Sequence, residues 1–354
     1  MQWFIVPPLR GPISGGTLYN RMIMAGLKEV GCTCDVLPVE RARAALASAA
    51  GTDSYWVDSL YLDQLPELAR VTTSGTRLGL MVHYLPSLLS HGEGVGPGDL
   101  TATEAAALRT ATMFVVPSEW MRGIVRRLAG PRCPVLLVEP GRPPSPSSTV
   151  PGPPVRAVMV ANLVEGKGVD RFLVSLAEQI RETDSVHISI VGGEAHEPAY
   201  AKRCHTLARN PRVRGRVRFL GELSNAQTLR VMAASNFLIS CSRMESFGMS
   251  LMEARVLGLP ILAERGGHVA AMVEPDSGGE LFANGAELVG RLLLISRSPA
   301  DHRWRLALAQ ARRWTPRPWS EAARELVSQL EQLDKIGSRT PVETTHQEGL
   351  RSVG

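Results

Sequence analysis

The sequence predicts an α/β protein of two doubly wound units, on three observations. Short β-branched runs alternate with helical patterns almost throughout, as in parallel sheets built from βαβ repeats. The alternation stops once, in "EPGRPPSPSSTVPGPP" at 139–154, a stretch without apolar periodicity that reads as a linker. It then restarts. At 354 residues the chain is too long for one ordinary core and suits two.

In the first unit, residues 1–140, strands are expected at "WFIV" (3–6), "TCDVLPV" (33–39), "SYWV" (54–57), "RLGLMV" (77–82), "MFVV" (113–116) and "PVLLV" (134–138). A helix from Thr17 to Val30 follows the first strand, and helical stretches separate most of the others. The linker takes 141–154. The second unit, 155–315, offers strands at "VRAVMVA" (155–161), "VHISIVG" (186–192), "VRFLG" (217–221), "NFLIS" (236–240) and "LPILA" (259–263). Within 316–334, "WSEAARELVSQLEQL" is a last amphipathic helix, free to return onto the first unit. The polar tail from Lys335 to Gly354 lacks periodicity and is expected to be disordered. Two such units bind ligands where strand C-terminal ends face a shared crevice.

Composition narrows the function classes. Hydrophobic content of 44% and charged content of 21% are globular values. No run of about 18 apolar residues is present to span a bilayer, and MQWFIVPPLRGP is too briefly apolar for a secretion signal. Five cysteines, at 32, 34, 133, 204 and 241, form no disulfide framework and no zinc spacing, so a reduced cytoplasmic protein is expected. The net charge of +5 is spread along the chain, densest in "RRWTPRPW" at 312–319. That cluster suits an anionic membrane surface, or a helix end whose indoles pack inward beneath solvated arginines. The second explanation is preferred, since no nucleic-acid module accompanies it. Nucleic acid is not expected as a partner, and peripheral membrane contact is not favoured.

Three loops at strand ends carry candidate chemistry. In "PPLRGPISGGTLYNRMI", Gly15 and Gly16 stand just before a helix, where backbone amides and the helix dipole favour an anion; a plain tight turn explains them as well. In "VANLVEGKGVDRFL", Lys167 lies between a strand and a helix, placed to face phosphates, although surface lysines are commoner. In "SRMESFGMSLME" a helix is expected from about Ser246, its free amides aimed at the loop. This helix is apolar on most sides, so Glu253 should be buried and needs a partner. From Glu245 to Glu253 is about 12 Å if helical, at roughly 1.5 Å per residue. That span is too long for one metal ion or one shared proton. It suits an elongated ligand with hydroxyls at both ends and a diphosphate between, the shape of a nucleotide sugar.

The Glu, seven residues, Glu spacing with "SFG", followed by "EARVLGLPILAERGG", closely resembles the retaining nucleotide-sugar glycosyltransferases of family 4, which have the GT-B architecture of two Rossmann-like domains facing a cleft. "GGTLYNRMI", "VANLVEGKGVDRFL" and "VRFLGELSNAQTLRVMAASNFLIS" extend the resemblance over most of the chain, loosest in the N-terminal half. The resemblance implies transfer of a sugar from a nucleotide-diphosphate co-substrate, a UDP-sugar favoured, to a hydroxyl or amine of a small molecule, natural product or glycan. It implies no metal, and no Asp-x-Asp pair is present. It further implies that Glu245 meets hydroxyls of the donor sugar and Glu253 the ribose. Arg243 and Ser246 would line the same donor loop, and backbone amides of Phe247, Gly248 and Met249 would meet sugar or diphosphate. Lys167 would neutralise the leaving group, His83 would lie near the anomeric centre, and Gly15 and Gly16 would approach the phosphate.

One position departs from the family. An arginine usually stands where this chain has Asn162, five residues before Lys167. Losing that cation weakens leaving-group stabilisation unless Arg243, Arg265 or Arg10 replaces it. The departure motivates a second reading, a catalytically impaired homologue acting as a nucleotide-binding scaffold or partner subunit. Retention of His83, Lys167, Glu245 and Glu253 argues for the enzyme.

Overall fold

The computed structural model describes residues 1–8, 14–49, 51, 53–131, 133–142, 154–273 and 277–337. Arg10, most of the linker (143–153) and the end of the tail (338–354) lie outside the described residues.

Among the described residues, twelve strands form two parallel sheets of six. The first contains β1 (Gln2–Ile5), β2 (Cys34–Val36), β3 (Ser54–Asp58), β4 (Arg77–Met81), β5 (Met113–Val116) and β6 (Val135–Leu137), in the order β2-β1-β3-β4-β5-β6. The second contains β7 (Val155–Val160), β8 (Val186–Val191), β9 (Val217–Gly221), β10 (Phe237–Ser240), β11 (Ile261–Glu264) and β12 (Glu280–Phe282), in the order β12-β11-β10-β7-β8-β9. In β3 and β5 every residue is buried, which is why these strands read as continuous apolar runs rather than alternating ones. Phe4, Trp56 and Phe114 fill the first sheet's core, and Phe172 and Phe237 the second's.

Strand order reverses between β1 and β3 in the first sheet and between β7 and β10 in the second. Ligands in such sheets bind outside the strand C-termini at the reversal. Asn162, Lys167 and residues 241–248 follow β7 and β10 at the reversal of the second sheet, and Gly15 and Gly16 open the helix that follows β1 at the reversal of the first.

Three sequence expectations need correction. The first helix is Gly15–Glu29, with Ser14 as its N-cap accepting from Thr17 N, so both glycines are helical rather than preceding the helix. Strand β12 went unread because its three residues, ELF, give no period. The C-terminal helix runs Trp319–Gly337, carrying Lys335 to Gly337 in helix rather than in a disordered tail.

That last helix lies on the first sheet, where Trp319, Ala322, Ala323, Leu326 and Leu330 pack with Phe4, Ile23, Leu27 and Trp56. Burying Trp319, Leu326 and Leu330 contributes on the order of 5–9 kcal/mol before ordering entropy is subtracted. Within "RRWTPRPW", Trp319 is buried and Trp314 packs beneath Arg255, while Arg312 and Arg313 are exposed. The indoles face inward. No described helix is long and apolar enough to cross a membrane.

Candidate active site

Beyond β7 the chain makes a single 3-10 turn, Glu165–Lys167, before the helix Val169–Gln179. Arg243 N donates to Gly166 O at 2.9 Å, joining this turn to the loop after β10. The two loops that meet at the strand-order reversal are thus bound to one another. Across that junction Lys167 Nζ donates to Glu245 Oε1 at 2.5 Å. Arg243 stands outside the pair, partly exposed, with Glu165 3.8 Å away. The junction thus brings Lys167 to Glu245, with Arg243 beside it.

The loop from Glu245 to Gly248 is held from three sides. Glu245 pairs with Gly267, and its carbonyl accepts from His268 N at 2.8 Å. Phe247 is buried and stacks on the His268 ring at 5.5 Å. Ser246 O accepts from Ser118 Oγ at 2.5 Å, and Ser118 in turn caps the helix Glu119–Ala129 of the first unit. Gly248 takes φ +88°, a conformation that side chains with a Cβ seldom adopt. These ties keep 245–248 out of helical geometry, so the helix is Met249–Leu257 and not one beginning near Ser246. The 1.5 Å rise therefore applies only from Met249 to Glu253. The amides free at the helix start are those from Met249 onward, with Gly248 at the cap.

Glu253 is 3% exposed, and its carboxylate accepts from Asn225 Nδ2 at 2.8 Å. One hydrogen bond does not offset its desolvation, and burial pushes its pKa from the ordinary 4.5 to about 7. Among the described residues Asn225 is the hydrogen-bond partner of this carboxylate.

The first unit faces this loop. A Cβ on Gly15 would lie 3.5 Å from Met249 Cγ, so the start of the first helix meets the start of Met249–Leu257. Gly16 lies so close to His83 that a Cβ would sit 3.2 Å from its ring. His83 follows β4, is largely buried, and bonds Asn20 Oδ1 through Nε2 at 2.7 Å. Burial holds its pKa below the ordinary value, against the opposing pull of Asp58. Met244 joins the buried cluster of the first sheet that includes Leu85 and Leu88, so the loop after β10 is docked into the opposite unit.

Asn162 has a local task. Its Oδ1 accepts from Gly193 N at 2.9 Å while Leu163 N donates to Gly193 O at 2.8 Å, extending the pairing of β7 and β8 past their ends. Replacing Asn162 with arginine leaves the Gly193 amide without this acceptor. A loss of about 1 kcal/mol is expected in urea denaturation; unchanged stability would show that the brace contributes nothing. Arg265 is exposed at the end of β11.

Sequence reasoning missed Asn20, Asp58, Ser118, Asn225 and His268. Only His268 carried a signal, as the residue after "ERGG"; the others join the site through tertiary contacts between distant segments.

The fold matches known proteins. Residues 145–310 match the family model of glycosyl transferases group 1. Over nearly the whole chain the fold is GT-B. Anabaena HepE, solved with UDP and glucose and with UDP-glucose, superposes with a TM-score of 0.71 at 17% identity, covering 94% of this chain and 99% of HepE. Two curated relatives match in part. The α-monoglucosyldiacylglycerol synthase of Streptococcus pneumoniae is 24% identical over 127 residues, 36% of this chain and 28% of that protein. The D-inositol 3-phosphate glycosyltransferase of Corynebacterium diphtheriae is 31% identical over 122 residues, 34% of this chain and 29% of that protein. The matched segments thus span under a third of these relatives.

Proposed function

We propose that the chain transfers a sugar from a nucleotide-diphosphate sugar to an acceptor hydroxyl or amine, with retention of configuration and without requiring a metal. The observation that carries this reading is the Lys167–Glu245 pair at the strand-order reversal of the second sheet, beside the helix start at Met249 and opposite His83. A cation and free amides there suit a diphosphate, Glu245 suits sugar hydroxyls, and buried Glu253 suits a ribose diol. The group 1 match over 145–310 supports the activity class, and HepE's complexes favour a UDP-sugar.

In this reading the C1–O bond to the diphosphate breaks while the acceptor oxygen or nitrogen bonds to C1 on the same face. The acceptor proton passes to a departing phosphate oxygen. Lys167 and the helix-start amides stabilise the charge that develops there, a task a metal ion performs in other transferases. Glu245 then exchanges its bond to Lys167 for bonds to sugar hydroxyls, which frees Lys167 for the phosphate. In this reading residues 83–99, which follow β4, shape the acceptor pocket; a small molecule, glycan or glycolipid headgroup fits the relatives' names. Five free thiols suit the cytoplasm.

A thermal-shift screen of uridine, guanosine, adenosine and thymidine diphosphates and their sugars tests the donor site. At a hundredfold excess over Kd a bound nucleotide contributes about 2.7 kcal/mol. UDP should raise the melting temperature and UMP should raise it less. Indifference to every diphosphate would defeat the reading.

A further inference from the structure

The ring of His83 is held by a chain of polar side chains that enters no part of the scheme above. Asn20 and Asp58 are buried, at 0% and 1% exposure. Asn20 Nδ2 donates to Asp58 Oδ2 at 2.5 Å, and Asp58 Oδ1 accepts from Leu60 N at 2.8 Å. Both Asp58 oxygens accept hydrogen bonds, so Asp58 dictates which way the Asn20 amide points. With its NH2 turned to Asp58, Asn20 presents Oδ1 to His83 Nε2 at 2.7 Å. That oxygen only accepts. Nε2 must therefore carry the proton, and in the neutral ring Nδ1 carries the lone pair. Among the described residues no hydrogen bond reaches Nδ1, and the side chain keeps 11% of its surface open. The His83 backbone is fixed as well, its N–H donating to Ser59 Oγ at 3.1 Å. Gly16 presses on the ring with no Cβ between them.

We infer that Asn20 and Asp58 are positioning residues that fix His83 as the Nε2–H tautomer, so that Nδ1 accepts a hydrogen bond from a hydroxyl group entering the cleft. Only the identity of that hydroxyl, on the donor sugar or on the acceptor, rests on the glycosyl-transfer reading. The arrangement discriminates chemically. A lone pair at Nδ1 accepts from a hydroxyl and offers nothing to a group that only accepts. The opposite tautomer would reverse that preference and leave Asn20 Oδ1 facing a second lone pair.

The test is nitrogen-15 NMR of histidine-labelled full-length protein at pH 7.5, with the His83→Asn variant used to assign the signal. Wild type should show His83 protonated on Nε2 alone; protonation on Nδ1 would overturn the inference. In Asp58→Asn the new amide can turn either way, so Asn20 loses its fixed orientation and both tautomers should appear. An unmixed Nε2–H signal in that variant would remove Asp58 from the role. Asn20→Leu, close to isosteric, should lower kcat about tenfold with donor KM near wild type, the loss of one oriented hydrogen bond. Unchanged kcat in a transferring enzyme would overturn the role of Asn20. The NMR arms need no turnover. A wild type that transfers no sugar but shows Nε2–H would defeat the functional reading and leave the tautomer assignment standing.

Discussion

Lys167→Ala is expected to lower the rate of sugar transfer by about two to three orders of magnitude and to leave the fold intact. The rate effect follows from removing a preorganised cation where leaving-group charge develops, comparable to deleting one donor of an oxyanion hole. The small stability effect follows from exposure. Lys167 keeps 31% of its side-chain surface open, and among the described residues its ion pair is with Glu245; pairs of this kind contribute about 0–1 kcal/mol. Glu245→Ala should be similarly inactive, through lost sugar contacts rather than lost charge neutralisation. Because both side chains act on one bound donor in the proposed reaction, the double variant should be little worse than the poorer single one. Stopped-time assays of nucleoside diphosphate release, with urea denaturation of each variant, separate these effects. Full activity of either single variant would remove the Lys167–Glu245 junction from the chemistry.

The second large effect belongs to Glu253 and depends on pH. Burial raises its pKa from 4.5 to about 7, so between those values the folded protein binds more protons than the unfolded chain. Stability is therefore highest, as far as this group is concerned, below pH 4.5, and it falls as pH rises through about 7. The full change is about 3 kcal/mol. Glu253→Gln can keep an acceptor toward Asn225 and does not titrate, so it should gain on wild type by about that amount between pH 5 and pH 8. If a ribose diol binds Glu253 as proposed, saturating donor should reverse the order at pH 8, because the diol donates to a carboxylate whose partner among the described residues is Asn225. Parallel urea-denaturation profiles for the two proteins across this range would show that the buried carboxyl is fully compensated without ligand.

Much of the fold was legible because its physics is local. Sheet strands such as MFVV and SYWV are buried end to end, and that burial is written directly into their composition. The candidate site was legible, as a juxtaposition of side chains, where its residues cluster in sequence, as in "ESFGMSLME", or sit at fixed distances from a strand, as Lys167 does. Two features of that stretch were not. A glycine at φ +88° and the pairing of Glu245 with Gly267 move the helix start to Met249, and neither can be seen in a periodicity. Glu253 finds Asn225, 28 residues away on another helix, through packing that no spacing rule encodes. Asn162 illustrates the reverse case. As a departure from a motif it suggests a lost cation, whereas its hydrogen bond to Gly193 gives it a structural task of its own.

The central claim is transfer of a sugar at the Lys167–Glu245 junction. Incubating the wild-type chain with UDP-glucose and the other common nucleotide sugars, and following nucleoside diphosphate release together with proton NMR of the sugar product, tests it most directly. The account predicts release from one donor class, with the product keeping the donor's anomeric configuration and with Lys167→Ala silent in the same assay. Inverted product would contradict retention. Absence of release from every donor, or equal release by Lys167→Ala, would contradict the claim itself.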